Sequence, residues 1–164
     1  MTRRGSGRFL YYAAAIFLFL TWLSLFLEND SAIRWVQAVG WLLVGAGIAL
    51  IVQPMFVLRK RGQPEADEDW THTSTLVDTG IYAIVRHPLY LGWSLMYPAL
   101  VLVSQHWLTV VIALPGLVWV ALIAKQEDQH LVAKFGDAYE RYMQDVPAWN
   151  LQAGIIRHLQ RRNS

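Results

Sequence analysis

The 164-residue chain contains no cysteine and few charged residues. Without cysteine it can form no disulfide, use no thiolate nucleophile and hold no cysteine-ligated metal. Charged residues make up 16% of the chain, against roughly 25% in ordinary soluble domains. Its five histidines show neither HxxxH nor HExxH spacing, so we predict no metal site. No internal repeat and no nucleic-acid motif is present, and the composition argues against a soluble domain.

Apolar residues dominate the chain instead. They make up 55% of it and include eight tryptophans, a residue that favours membrane–water interfaces. A helix needs about 20 apolar residues to cross a bilayer. Four stretches predict such spans, at about 9–27, 35–58, 89–104 and 108–124. The first follows basic residues as a signal peptide would, but its length favours a retained helix.

The predicted fold is therefore an all-α integral membrane protein with about four transmembrane helices in one domain, 1–164. The last two spans are short and only Gln105, His106 and Trp107 separate them, so they form a tight hairpin. Basic residues precede the first span, lie at both ends of the 59–88 loop and follow the last span, whereas only Arg34 lies between the first two spans. By the positive-inside rule, both termini and the 59–88 loop are cytoplasmic. Any site that they build faces the cytoplasm.

Residues 125–146 have the pattern of a cytoplasmic amphipathic helix that continues from the last span. Its apolar positions recur three and four residues apart; they are Leu131, Phe135, Tyr139, Tyr142 and Val146. Gly136 marks a break or bend, and Pro147 ends the helix. Two other segments are predicted to be a loop and a tail. The acidic residues of 62–80 are typical of a solvated loop, and the basic end 157–164 is typical of a tail at an anionic leaflet.

Two sequence blocks carry a family resemblance. GIYAIVRHPLYLG at 80–92 and EDxxLxxxFGxxYxxYxxxVP at 127–147 resemble the isoprenylcysteine carboxyl methyltransferase family, in a superfamily that includes phospholipid N-methyltransferases. The resemblance covers about residues 75–150. It implies a membrane enzyme without a Rossmann domain that uses S-adenosylmethionine and releases S-adenosylhomocysteine. It places the cofactor-binding residues at Tyr82, Arg86, His87, Pro88, Tyr90, Gly92, Glu127 and Asp128.

The chemistry of these side chains agrees with such a cofactor. Glu127 can accept hydrogen bonds from an ammonium group or ribose hydroxyls, and Arg86 or His87 can meet a carboxylate. Tyr82 or Tyr90 can stack on adenine or face a sulfonium. Glu127 and Arg86 are the predicted catalytic residues. Pro88 suits the first turn of a helix. The alternative is that the basic pair only snorkels at the interface.

The predicted activity is methyl transfer at the membrane to a small lipophilic acceptor, an isoprenylcysteine-like carboxylate or a lipid amine. The predicted partners are therefore the lipid bilayer and a lipophilic or lipidated substrate. The candidate substrate contacts are Lys125, Arg141 and Tyr142. An NADPH-dependent membrane sterol or enone reductase, and a non-enzymatic scaffold, remain as alternatives. The oligomeric state and the need for a general base stay open.

Overall fold

The computed structural model describes residues 5–27, 29, 31–62 and 73–163. Within these ranges the chain is helical and contains no β-strand. A 3₁₀ turn at Gly80–Ala83 precedes the third helix. The helices are α1 Gly5–Phe26, α2 Arg34–Arg61, α3 Pro88–Ser104, α4 Trp107–Phe135, α5 Asp137–Asp145 and α6 Leu151–Asn163. The acidic run of the 62–80 loop and His72 lie outside the described residues.

The long apolar helices agree with an integral membrane protein. Among the described residues, α2 and α4 are long and apolar enough to cross a membrane. Large apolar side chains on both are exposed, among them Leu42 and Val118, as expected for a surface that faces lipid. Helix α3 has 17 residues, and the apolar part of α1 is shorter still, at Ala15–Ser24. The first and third spans therefore stay predictions.

The predicted amphipathic helix is divided in two. Helix α4 continues past residue 124 as far as Phe135, and α5 begins at Asp137. Gly136 between them has φ +55°, a left-handed conformation that glycine adopts without a steric penalty. The break lets the short α5 turn its tyrosines onto the end of α4, where Tyr139 and Tyr142 pack with Leu131.

The chain divides into two compact units, and α2, α3 and α4 each pass from one into the other. The first unit is Met1–Ile48 with Gly92–Lys125; the second is Ala49–Leu91 with Gln126–Ser164. In the first, Phe17 of α1 packs edge-on against two rings of α3, with centroids 5.2 Å from Trp93 and 6.1 Å from Tyr97. The second unit carries all the polar contacts of the predicted site described below.

A hydrogen-bonded clamp joins the two interhelical turns of the first unit. Gln105 lies in the α3–α4 turn with φ +48°. Its side chain accepts from the Ile33 N–H and donates to the Ile33 carbonyl, both at 3.0 Å. Its own carbonyl accepts from Asn29 Nδ2 at 2.8 Å. The clamp accounts for a non-glycine residue in the left-handed region, because three bonds hold it there.

Replacing Gln105 by alanine should therefore lower the unfolding free energy by about 1–3 kcal/mol, at about 0.5–1.5 kcal/mol for each of two lost bonds. Thermal unfolding in detergent would measure the shift. The control is Gln126→Ala, since Gln126 is exposed on α4 and alanine favours helix. Equal midpoints for the two variants would contradict the clamp.

Candidate active site

Asp128 contacts three side chains from two other parts of the chain, the Arg86–His87 pair and Tyr139. It lies on α4 beyond the apolar run that ends at Ala124. Its Oδ1 accepts from Arg86 Nη1 at 2.9 Å and from the Tyr139 hydroxyl at 2.6 Å, and it lies 2.9 Å from His87 Nε2. An ionised carboxylate only accepts hydrogen bonds, so Nε2 of His87 carries the proton in this contact. We call this arrangement the Asp128 hub.

The hub is largely shielded from solvent. The side chains of Arg86, His87 and Asp128 are 9%, 4% and 18% exposed. Burial pushes the pKa of the Asp128 carboxyl up, but hydrogen bonds from His87 and Tyr139, helped by the charge of Arg86, outweigh it. This pKa therefore lies below its ordinary value. Burial and the bond to Asp128 raise the pKa of Tyr139, which stays protonated and donates.

The backbone on either side of the Arg86–His87 pair is held as well. Arg86 Nε donates to the Val146 carbonyl at 2.9 Å. The Arg86 N–H donates to the Pro147 carbonyl at 3.0 Å, and the His87 N–H to the Ala148 carbonyl at 3.3 Å. Residues 146–149, which we call the strap, thus run alongside the start of α3. Both the side chain and the main chain of Arg86 are therefore held by groups of the protein itself.

Aromatic side chains complete the site. The His87 ring centroid lies 5.7 Å from that of Tyr90 and 5.9 Å from that of Trp149. Tyr82 is buried, and burial, followed by the negative charge of Glu127, raises its pKa. Glu127 is therefore near enough to Tyr82 for its charge to act there. A carboxylate and several aromatic rings share one corner of the second unit.

The structure brings together most, but not all, of the predicted site residues. The predicted site residues that lie in the second unit are Tyr82, Arg86, His87, Pro88, Tyr90, Glu127, Asp128, Arg141 and Tyr142. Pro88 is the first residue of α3, which confirms its predicted place in the first turn. Gly92, one turn further along α3, and the exposed Lys125 belong to the first unit.

The predicted substrate contacts stay predictions. Lys125 and Arg141 are both exposed, and within the described residues neither takes part in the bonds of the hub. Tyr142 is buried and gives its hydroxyl to the Tyr82 carbonyl at 2.7 Å. That bond supports the 3₁₀ turn, so Tyr142 stabilises the fold whether or not it also contacts substrate.

Sequence reasoning missed Tyr139 as a member of the hub and missed the strap entirely. The sequence pattern places Tyr139 only on an apolar helix face. A buried tyrosine usually finds a partner for its hydroxyl, so a tyrosine at a core position was the available signal. The strap offered none, because Arg86 and His87 reach its backbone carbonyls, which every sequence has.

The known proteins that this chain resembles are methyltransferases. Residues 35–138 match the phospholipid methyltransferase family. The chain is 30% identical over 135 residues to protein-S-isoprenylcysteine O-methyltransferase of Mus musculus. This alignment covers 77% of this chain and 47% of that protein. It is 31% identical over 118 residues to methanethiol S-methyltransferase of Crocosphaera subtropica. This alignment covers 67% of this chain and 42% of that protein. No solved structure gives a significant match.

The chain spans less than half the length of these curated relatives. The family match nevertheless extends over more than half of the chain, and includes the whole block at 80–92 and the start of the block at 127–147. The chain therefore belongs to the phospholipid methyltransferase family, the superfamily of the isoprenylcysteine carboxyl methyltransferases that its two blocks resemble.

Proposed function

We propose that the chain is an S-adenosylmethionine-dependent methyltransferase that acts at the membrane on a small lipophilic acceptor. The observation that carries the proposal is the Asp128 hub, because it joins the two sequence blocks of the family. Arg86 and His87 come from the first block, and Asp128 and Tyr139 from the second. Two distant blocks that meet around one carboxylate are more typical of a binding site than of helix packing.

The residues present fit this methyl donor. The donor carries an ammonium, a carboxylate, a sulfonium and an adenine. Glu127 supplies a carboxylate for the ammonium or the ribose hydroxyls. Tyr82 and Tyr90 supply aromatic faces for the adenine or the sulfonium. Arg86 donates through Nε and Nη1 to the protein, and its remaining N–H groups can meet the carboxylate.

The protein's part in such a reaction is to hold and to shield. When bound, the donor supplies an electrophilic methyl group on sulfur, which passes to a nucleophile in line with the breaking carbon–sulfur bond. Reactions of this kind gain mainly from orientation and from exclusion of water. Glu127 would anchor the donor, and the hub would fix the Arg86–His87 pair against it. A carboxylate acceptor needs no base, whereas a thiol or an amine must also lose its proton.

The relatives support a lipophilic acceptor without fixing which one. Their names cover an oxygen acceptor on S-isoprenylcysteine and a sulfur acceptor in methanethiol. We propose an isoprenylcysteine-like carboxylate or a lipid amine, with a small thiol as a further candidate from the second relative. The long apolar helices favour an acceptor that arrives from the bilayer, and the distribution of basic residues favours a site on its cytoplasmic side.

Titration of S-adenosylhomocysteine into detergent-purified protein tests this function. We expect binding by the wild type and at least a tenfold weaker Kd for Glu127→Gln, which keeps the shape but removes the charge; tenfold corresponds to about 1.4 kcal/mol. The matched control is Glu140→Gln, since Glu140 is exposed on α5. It should bind as the wild type does.

A parallel titration with NADPH decides between the alternatives. Binding of NADPH without S-adenosylhomocysteine would make the protein a reductase. Binding of neither, by protein that unfolds cooperatively on heating, would leave a membrane scaffold. An equal loss in Glu127→Gln and Glu140→Gln would remove Glu127 from the site.

A further inference from the structure

The segment that leads into α3 takes its shape from the C-terminal part of the chain. Residues 82–87 form few bonds among themselves; the N–H groups of Ile84 and Val85 both donate back to the Ile81 carbonyl. The other backbone groups need partners elsewhere, because unpaired buried backbone groups are strongly disfavoured. Four of these groups, the carbonyls of Tyr82 and Ala83 and the N–H groups of Arg86 and His87, find their partners in residues 142–161.

Two of the contacts are to backbone carbonyls. The Tyr82 carbonyl accepts from the Tyr142 hydroxyl at 2.7 Å, and the Ala83 carbonyl accepts from Arg161 Nη2 at 2.9 Å. The strap adds the two amide bonds of Arg86 and His87 described above. The contacts follow residues 82–87 almost in sequence, so the C-terminal segment supports this whole stretch of main chain.

Helix α6 contributes a close backbone approach as well. Gly154 of α6 packs directly on the Ile84 carbonyl, and a Cβ at this position would overlap the Ile84 oxygen and lie 2.8 Å from its carbonyl carbon. The start of α6 is fixed by Asn150, whose Oδ1 caps the Ala153 N–H at 2.9 Å. Only a residue without a side chain allows α6 to lie this close to the segment.

The basic residues of α6 also point to a role within the protein. Arg157 Nη1 donates to the Gln144 carbonyl at 3.2 Å, and Arg161 reaches the 3₁₀ turn. Two guanidinium groups of the presumed tail therefore tie α6 to α5 and to the segment before α3. Helix α6 is a docked element of the second unit.

We propose that α6 and the strap position residues 82–87 for the methyl donor, with Gly154 and Arg161 as positioning residues. The inference rests on the proposed function, since the segment carries Tyr82, Arg86 and His87 of the donor site. Displacing a positioned group by about 1 Å can reduce a reaction rate about a hundredfold. The proposed role of α6 concerns binding of the methyl donor and does not depend on which acceptor is methylated.

The test compares Gly154→Ala with Ile156→Ala in the full chain. Alanine at 154 must push α6 away from Ile84, whereas the Ile156 side chain is 57% exposed. For Gly154→Ala we expect at least a tenfold weaker Kd for S-adenosylhomocysteine and a raised KM for the methyl donor, with the KM for the acceptor unchanged. Amide exchange at Arg86 and His87 should quicken. Ile156→Ala should stay within twofold on every readout.

A second pair of variants keeps the test decisive if Gly154→Ala does not fold. Arg161→Gln shortens the side chain that donates the hydrogen bond to Ala83 and removes its charge. This variant should bind S-adenosylhomocysteine two- to fivefold more weakly. Arg161→Lys retains a positively charged side chain that can donate a hydrogen bond, and should recover part of this loss. Wild-type affinity in Arg161→Gln, and in Gly154→Ala where that variant folds, would overturn the inference, as would faster amide exchange at residues 82–87 without loss of affinity.

The outcomes separate this inference from the proposed function. If the wild type binds no S-adenosylhomocysteine, the proposed function fails and the donor role of α6 fails with it. Amide exchange then still decides whether α6 holds residues 82–87. If the wild type binds and the α6 variants bind equally well, only the positioning role is lost.

Discussion

Replacing Asp128 by alanine is expected to abolish binding of S-adenosylhomocysteine and to destabilise the fold by about 3–5 kcal/mol, the range for breaking a buried ion pair on one side. Arg86 is 9% exposed, so its charge would remain in the protein without its partner. The Tyr139 hydroxyl would lose the same acceptor. Ligand titration and thermal unfolding of the detergent-purified variant measure both effects.

Two further variants show whether the effect belongs to the hub. Asp128→Glu keeps the charge and the two acceptor oxygens of the carboxylate, so it should retain most of the binding. Asp145→Ala removes an exposed carboxylate at the end of α5 and should change neither readout. Wild-type affinity in folded Asp128→Ala would exclude the hub from the binding site.

Replacing Gly116 by alanine is expected to destabilise the first unit by about 1–3 kcal/mol, the usual range for overpacking a filled core. Gly116 lies on α4 directly beneath the ring of Tyr97 from α3, where an added Cβ would overlap the ring carbons. Tyr97 is 1% exposed, so its ring lies within the core and not at the surface. The two helices would have to separate, and the midpoint of thermal unfolding in detergent would fall.

Gly45 of α2 provides a matched control, because nothing lies within 4 Å of a Cβ added there. Gly45→Ala should be neutral or stabilise by about 0.5–1 kcal/mol through helix propensity. Pairing Gly116→Ala with Tyr97→Leu should recover part of the lost stability, since leucine leaves room for the new methyl group. Equal midpoints for Gly116→Ala and Gly45→Ala would show that α3 and α4 do not pack closely at this point.

The sequence predicted the helical class and the start of α3 because both depend on local signals. Apolar runs and Pro88 act within one turn or one span. Helix α6 escaped prediction for a physical reason. Its large exposed apolar residues, Ile155, Ile156 and Leu159, do not lie on the docked side, where Gly154 packs on Ile84. A search for an apolar stripe therefore finds the wrong face of this helix.

The sequence indicated which residues belong to the candidate site better than it indicated the hydrogen bonds between them. The family motifs named Arg86, His87 and Asp128 together. They did not indicate that one oxygen of Asp128 would serve all three donors, or that Tyr139 would be among them. Such bonds depend on the angle between α4 and α5, which the break at Gly136 determines and which no periodic pattern records.

The strap also has a consequence for how the chain matures. Arg86 and its acceptor in Val146 are 60 positions apart, and the two intervening apolar helices must be synthesised between them. While the ribosome is still making α4, the guanidinium of Arg86 has neither Asp128 nor the strap to bind. The apolar helices can already enter the bilayer at that stage. The bonds of Arg86 and His87 to Asp128 and to the strap can form only after residue 149 has emerged. In a nascent chain, membrane insertion and ligand competence should therefore be separate events, in that order.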